Sequence, residues 1–379
     1  MRMLQLGMGW FPEQGGGLNR YYYDLVRALP AAGVECDGLV LGEGLAEQET
    51  AGRIRTYARS EASILARWSA GRKAVALAVV DRSYDVTAAH FAYYALPALG
   101  SLRKAPFVVH FHGPWAAESA AESASPLVVK AKAELERFVY SHGDRYVVLS
   151  EAFARVLSES YAVPWDKIRV VPGGIDASRF DIPQTKGEAR EILGWPADRP
   201  IVVAVRRLVS RMGLEDLIDA VATIRRTHPE VLVMIAGKGR LQPELAARIE
   251  ARGLAEHVRL LGYLPDEHLP LAYRAADLSV APTLALEGFG LIAAEALAAG
   301  TPVLVTPVGG LPEVVRNLAP DLVLPGTGPA AVAEGIAGAL SGALQIPDAA
   351  ALQAYARAHY DWSSIAPMLR SVYEDAARR

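Results

Sequence analysis

Short apolar runs recur along the chain, and stretches with apolar residues at helical spacing separate them. In the first half the runs are 3–6, 34–41, 86–91, 107–111, 146–149 and 168–171. In the second half they are 201–205, 231–236, 258–261, 278–281 and 302–306, with a last one near 322–324. Helical spacing is clear at 18–32, where Leu18, Tyr22, Leu25, Val26 and Leu29 share a face. It recurs at 214–226, 291–299, 329–344, 349–360 and 365–378. The strands are near-continuously apolar, as strands buried on both faces are, and they alternate with helices. This pattern predicts an α/β fold with parallel, doubly wound sheets. Between the halves, Pro172-Gly-Gly-Ile-Asp176 opens a stretch rich in proline and glycine with little periodicity, which reads as a linker. Domains are therefore expected at 1–180 and 181–360, followed by a final helical segment at 361–379.

Composition sharpens this picture only in places. A chain of 379 residues, 51% hydrophobic and 21% charged, can bury two ordinary cores. The net charge of −3 divides as +1 over 1–180 and −4 over the remainder, so neither half reads by charge as a nucleic-acid-binding domain. Cys36 is the only cysteine, which rules out an internal disulfide and a thiolate metal cluster. No apolar run approaches the length of a membrane helix, and the first residues do not form a signal peptide, so a cytoplasmic location is expected. One segment stands apart: 53–82 carries seven basic residues against two acidic ones, with Ile64, Leu65, Trp68, Val75 and Leu77 among them. A basic helix there fits either a solvated face or weak contact with the inner membrane surface.

The chemistry concentrates at 281–301. A strand leads into a loop holding Glu287, Gly288, Phe289 and Gly290, and a helix begins at Leu291, carries Glu295 and is closed by Gly300. The unpartnered N–H groups and dipole of a helix start attract phosphate or oxygen-rich ligands, and two carboxylates can grip hydroxyls. A sugar nucleotide satisfies both. Other strand ends carry compatible groups. Gly15-Gly16-Gly17 lets backbone approach a ligand. His112 follows the strand 107–111, beside Trp115 and Glu118, candidates for acceptor contacts. Arg207 and Arg211 suit a diphosphate, and Gly237-Lys238-Gly239 makes a second glycine loop. No Asp-x-Asp occurs, so a metal bridge to the phosphates is not expected.

The run Glu287-Gly-Phe-Gly-Leu-Ile-Ala-Ala-Glu295 resembles the Glu-x7-Glu signature of the family-4 retaining glycosyltransferases that use nucleotide sugars. The other motifs fall in that family's order: glycine loop, cleft histidine, Pro-Gly-Gly-Ile-Asp, arginine loop and a C-terminal aromatic-Ser helix. The resemblance implies two Rossmann-like domains facing across a cleft (GT-B), with a last helix crossing back to the first. It also implies a UDP-linked or similar sugar donor, no further cofactor, and a small-molecule, glycan or lipid-linked acceptor. By resemblance Glu287 meets the transferred sugar and Glu295 the ribose. Gly16 and Gly17 face the donor, His112 is the cleft histidine, and Tyr263 and Leu264 contact the base. The family usually has a lysine where this chain has Met212, and Arg211 beside it is the candidate replacement. A sugar-nucleotide epimerase of the same fold and a non-catalytic sugar-nucleotide binder are the alternatives.

Overall fold

The strands of the first half are β1 (Arg2–Gly9), β2 (Glu35–Leu41), β3 (Ile54–Ala58), β4 (Val86–Ala89), β5 (Phe107–Phe111), β6 (Arg145–Val148) and β7 (Ile168–Val170). They form one sheet in the order β3-β2-β1-β4-β5-β6-β7, and every pairing is parallel. The second sheet, also parallel, has the order β10-β9-β8-β11-β12, from β8 (Ile201–Val205), β9 (Leu232–Ala236), β10 (Val258–Gly262), β11 (Leu278–Ala281) and β12 (Val303–Val305). This computed structural model describes residues 1–122 and 124–378. It divides into two units, Met1–Ile175 together with the chain from Asp361 onward, and Asp176–Tyr360.

Four details differ from the sequence reading. The segment 53–82 is not one helix: Ile54–Ala58 pairs as the edge strand β3 on β2, and the helix Ile64–Asp81 starts after it, capped by the Ser63 side chain accepting from Ala66 N at 3.3 Å. The helix expected at 18–32 breaks after Ala28, because Pro30 has no N–H to continue it and a 3₁₀ turn Leu29–Ala32 follows. Residues 322–324 give a single bridge, Val305 to Val323, rather than a strand. The unit boundary falls at 175/176, not 180, because Phe180 packs against Tyr273 of the second unit and Arg179 pairs with Asp266 at 2.7 Å.

The order of strands reverses at one place in each sheet. In the first it lies between β1 and β4, in the second between β8 and β11. At such switch points the loops leaving the two strands diverge to opposite faces and open a crevice beyond their carboxyl ends. In the first unit, one face of the sheet is covered by a core that includes Leu4, Leu6, Val75, Phe107, Phe111 and Phe153. The helices Gly17–Ala28 and Trp362–Ala377 pack on each other, and Tyr21, Tyr22 and Tyr373 from them are fully buried.

Candidate active site

In the second unit, the loops leaving β8 and β11 meet at the switch point. Arg206 N donates to Ala236 O at 2.9 Å, which extends the β8–β9 ladder by one residue and fixes the direction of the side chain. That side chain is 5% exposed. Its Nη2 donates to Glu287 Oε2 at 2.5 Å and to the hydroxyl of buried Thr283. The Nε of Arg206 is buried with no hydrogen-bond partner among the described residues. Arg211, also buried, donates from Nη1 to Leu286 O at 2.7 Å. Leu286 holds φ 57°, a left-handed conformation that costs a branched residue about 1 kcal/mol, and the arginine contact holds it there beside Glu287. The backbone of Glu287 is pinned from the other side by Gly310 N donating to its carbonyl at 2.9 Å. The carboxylate is thus aimed by one buried guanidinium and two fixed carbonyls.

Gly290, at φ 92°, heads the helix Leu291–Ala298 with no side-chain cap, so its first N–H groups have no side-chain acceptor from that position. Within this helix Glu295 receives the Tyr273 hydroxyl at 3.4 Å. Gly237 has φ 145°, and a Cβ there would meet Arg206 O at 1.8 Å, so the third loop lies directly against the arginine loop.

In the first unit the switch point holds three histidines. His90 follows β4, His110 lies on β5 and His112 just beyond it. His90 stacks on His110 with centroids 4.2 Å apart and planes 21° apart, while His112 meets His90 edge to edge, its plane 20° away and its centroid 5.3 Å off. His90 Nε2 sits 2.8 Å from Gln5 Oε1 and Nδ1 is 3.0 Å from His112 Nε2. With the Gln5 oxygen as acceptor, His90 carries its proton on Nε2 and accepts from His112. His110 Nε2 meets the Tyr373 hydroxyl at 2.9 Å. Burial lowers the pKa of all three, that of His112 to about 3, so the cluster is neutral at physiological pH. One ring nitrogen from each lies within 4.8 Å of the others. The His90–His112 hydrogen bond occupies one nitrogen of each ring, so an ion shared through those nitrogens would have to displace it.

The loop after His112 is fixed by Glu136, a fully buried carboxylate on the helix Pro126–Tyr140. It accepts from Trp115 N at 2.8 Å, Ala116 N at 3.1 Å and the Tyr161 hydroxyl at 2.9 Å, and so anchors the start of the helix Trp115–Ala121.

The family description "Glycosyltransferase Family 4" matches residues 15–179, and "Glycosyl transferases group 1" matches 185–359. The chain belongs to the GT-B glycosyltransferases. It is 36% identical over 249 residues to a D-inositol 3-phosphate glycosyltransferase of Nocardia farcinica, a match covering 64% of this chain and 54% of that protein. It therefore spans little more than half the length of that relative. An uncharacterized glycosyltransferase of Methanocaldococcus jannaschii is 27% identical over 99% of this chain and 98% of its own. Among solved structures, Anabaena HepE in complex with UDP and glucose superposes with a TM-score of 0.81 at 20% identity, covering 99% of this chain and all of that one.

Within this GT-B glycosyltransferase, the residues singled out in the sequence separate into groups. Glu287, Arg211, Gly237, Gly239 and Gly290 converge around the β8/β11 switch point, where a Cβ on Gly239 would meet Leu208 O at 2.2 Å. Arg207 does not reach Glu287: it is exposed, because the extended ladder turns Arg206 inward and its neighbour outward. Phe289 is buried edge-on against Tyr360, so only its backbone is left to face a ligand. Met212, at the expected lysine position, is buried. Tyr263 is 59% exposed with Lys238 Nζ 5.0 Å from its ring, and Leu264 beside it is half-buried. Gly288 and Leu291 flank Phe289 and Gly290, both half-buried. In the first unit, Gly16 at φ 119° and Gly17 start the helix Gly17–Ala28 in open space. Trp115 packs against Phe91 and Tyr93 with Lys132 Nζ 4.1 Å from its ring, and Glu118 lies beside Gly113. Sequence reasoning missed Arg206, Thr283, His90, Gln5 and Glu136. The doubled arginine was the only signal for Arg206, and its place near the end of the apolar run 86–91 was the only one for His90.

Proposed function

We propose that this protein transfers a hexosyl group from a nucleoside diphosphate sugar, UDP-linked by preference, to an acceptor hydroxyl, with retention of anomeric configuration and without a metal. The observation that carries the reading is the Arg206–Glu287 pair at the switch point: the buried guanidinium has an N–H without a partner among the described residues, and the carboxylate it holds lies three residues before an uncapped helix start. Such an N–H accounts for itself when an anion completes it. Glu287 accepts hydroxyls of the sugar. Arg206, Arg211 and the helix beginning at Leu291 stabilise the departing diphosphate as the C1–oxygen bond breaks. The acceptor oxygen bonds to C1 from the same face, and its proton passes to the phosphate oxygen that leaves. Glu295 and the loop at Tyr263 and Leu264 hold ribose and base. His112, Gly16 and Gly17 take the donor-side roles that the family resemblance implies, and Trp115 and Glu118 the acceptor-side ones. That acceptor is a glycan, a glycolipid or a metabolite.

The test incubates purified protein with a panel of UDP-, ADP- and GDP-sugars and assorted acceptors, with and without chelator. Transfer that survives the chelator, with NMR showing the donor's anomeric configuration in the product, is expected. Inversion, a chelator-sensitive reaction, or free epimerised sugar without acceptor would each overturn a stated part of the reading.

A further inference from the structure

The helix Ile64–Asp81 packs Gly71, Val75 and Ala78 against the first sheet, as an amphipathic helix should. Its outward face is not polar in return. Leu65 is 77% exposed, Val80 72%, and Ile64 and Leu77 51% each. Leu65, Ser69, Arg72, Ala76 and Val80 follow one another at spacings of four, three, four and four, so they form a single stripe along the helix, aliphatic at its ends and polar in its middle. Lys73 lies beside it, and both Arg72 and Lys73 are exposed and enter no ion pair among the described residues. The acids nearest in sequence, Glu61 and Asp81, stand at the two ends. Four large aliphatic side chains exposed on one helix, two of them at the ends of a stripe whose middle is cationic, call for a cover of matching chemistry.

We propose that this face rests on an anionic lipid surface. Aliphatic side chains at both ends of the stripe suit the acyl boundary, and the cations between them suit lipid phosphates. At 1.5 Å per residue, Leu65 and Val80 are about 22 Å apart, which favours a helix lying in the membrane plane. Charge argues against a second copy of the chain as the cover. Arg72 and Lys73 are the two middle residues of the helix, so an antiparallel two-fold pairing sets them against their own copies and brings four cations together. The inference does not depend on the catalytic reading, since no residue of either switch point takes part.

The experiment is co-sedimentation of the full chain with vesicles of phosphatidylcholine alone and of phosphatidylcholine and phosphatidylglycerol in equal parts, at low and high salt. Two double variants accompany it, Arg72→Gln with Lys73→Gln and Leu65→Gln with Val80→Gln, all four sites being exposed and none near the active-site candidates. Binding to the mixed vesicles only, weakened by salt, is expected. The charge variant should bind at least tenfold more weakly, given roughly fivefold per cation, and the apolar variant should also lose binding. Absence of binding to anionic vesicles, or equal binding by both variants, overturns the proposal. So does a wild-type dimer in light scattering that the apolar variant dissociates, since the face would then be a self-association surface.

Discussion

Arg206 Nη2 and Glu287 Oε2 are 2.5 Å apart although 81 residues separate them in sequence. The contact joins the loops leaving β8, the central strand of the second sheet, and its neighbour β11. Removing Arg206 leaves a largely buried carboxylate without its cation, which costs about 3 kcal/mol when such a pair is broken from one side. Arg206→Ala should therefore lower the unfolding free energy in urea by that order and cut donor turnover at least a hundredfold. Arg206→Lys should recover most of the stability and little of the turnover, since a point charge lacks the planar fork. Glu287→Gln, which keeps size and one acceptor, should cost less stability than Arg206→Ala. A double-mutant cycle on the pair gives the coupling, and additivity would refute the assignment.

The three histidines make stability depend on pH in a defined direction. Their folded pKa values lie below the ordinary 6.5, so the unfolded chain takes up protons first as pH falls. Stability is full above 6.5 and declines from there toward about 3, the folded value of His112. Carboxylates act lower. Asp375, held near 2 by Arg145 and Arg169, loses its contribution only below 3.8. Glu136 works against the trend, because burial raises its pKa and acidification relieves it. Urea unfolding should thus show a decline between pH 6.5 and 5 that His90→Gln makes shallower. A flat profile in that interval would contradict the buried, neutral cluster.

Much of the fold and part of the site could be read before the structure. Runs such as 231–236 and 278–281 are short, buried throughout and separated by helical stretches, a pattern that suits a parallel sheet covered on both faces. What sequence could not supply was direction. Arg206 and Arg207 are chemically equal, and only the ladder bond to Ala236 decides which of them turns inward. Likewise Gln5 and His90, on β1 and just after β4, become partners through a strand order that skips β2 and β3. Glu136 has no motif around it in the sequence, and its role comes only from the donors Trp115, Ala116 and Tyr161 that the fold brings to it.

The third loop of the second unit offers a backbone test. Gly237 combines φ 145° with a carbonyl 1.8 Å from where a Cβ would be, so an added methyl strains the residue and pushes on Arg206. Gly237→Ala should destabilise the protein by about 2 kcal/mol and reduce donor affinity, while Gly253→Ala, in open space, should not touch affinity. Calorimetric titration with UDP separates the two variants, and equal affinity in both would place the loop outside the site.

Glu136 controls the loop that follows His112 without being part of it. Its two oxygens satisfy two backbone N–H groups and the hydroxyl of Tyr161, with Tyr140 at 3.4 Å, all in a buried setting. Glu136→Ala strands these donors together, at about 1 to 3 kcal/mol for each one left buried. Global unfolding need not follow, because the helix Trp115–Ala121 is short and can open alone. The sharper reading is hydrogen exchange: the amides of Trp115 and Ala116 should lose protection by at least tenfold in Glu136→Ala and much less in Glu136→Gln, which keeps one acceptor oxygen. Amides of Val147 and Val148 on the neighbouring strand β6 should be unchanged in both variants. If those strand amides exchange faster too, the carboxylate supports the whole unit and its restricted role in shaping the loop is disproved.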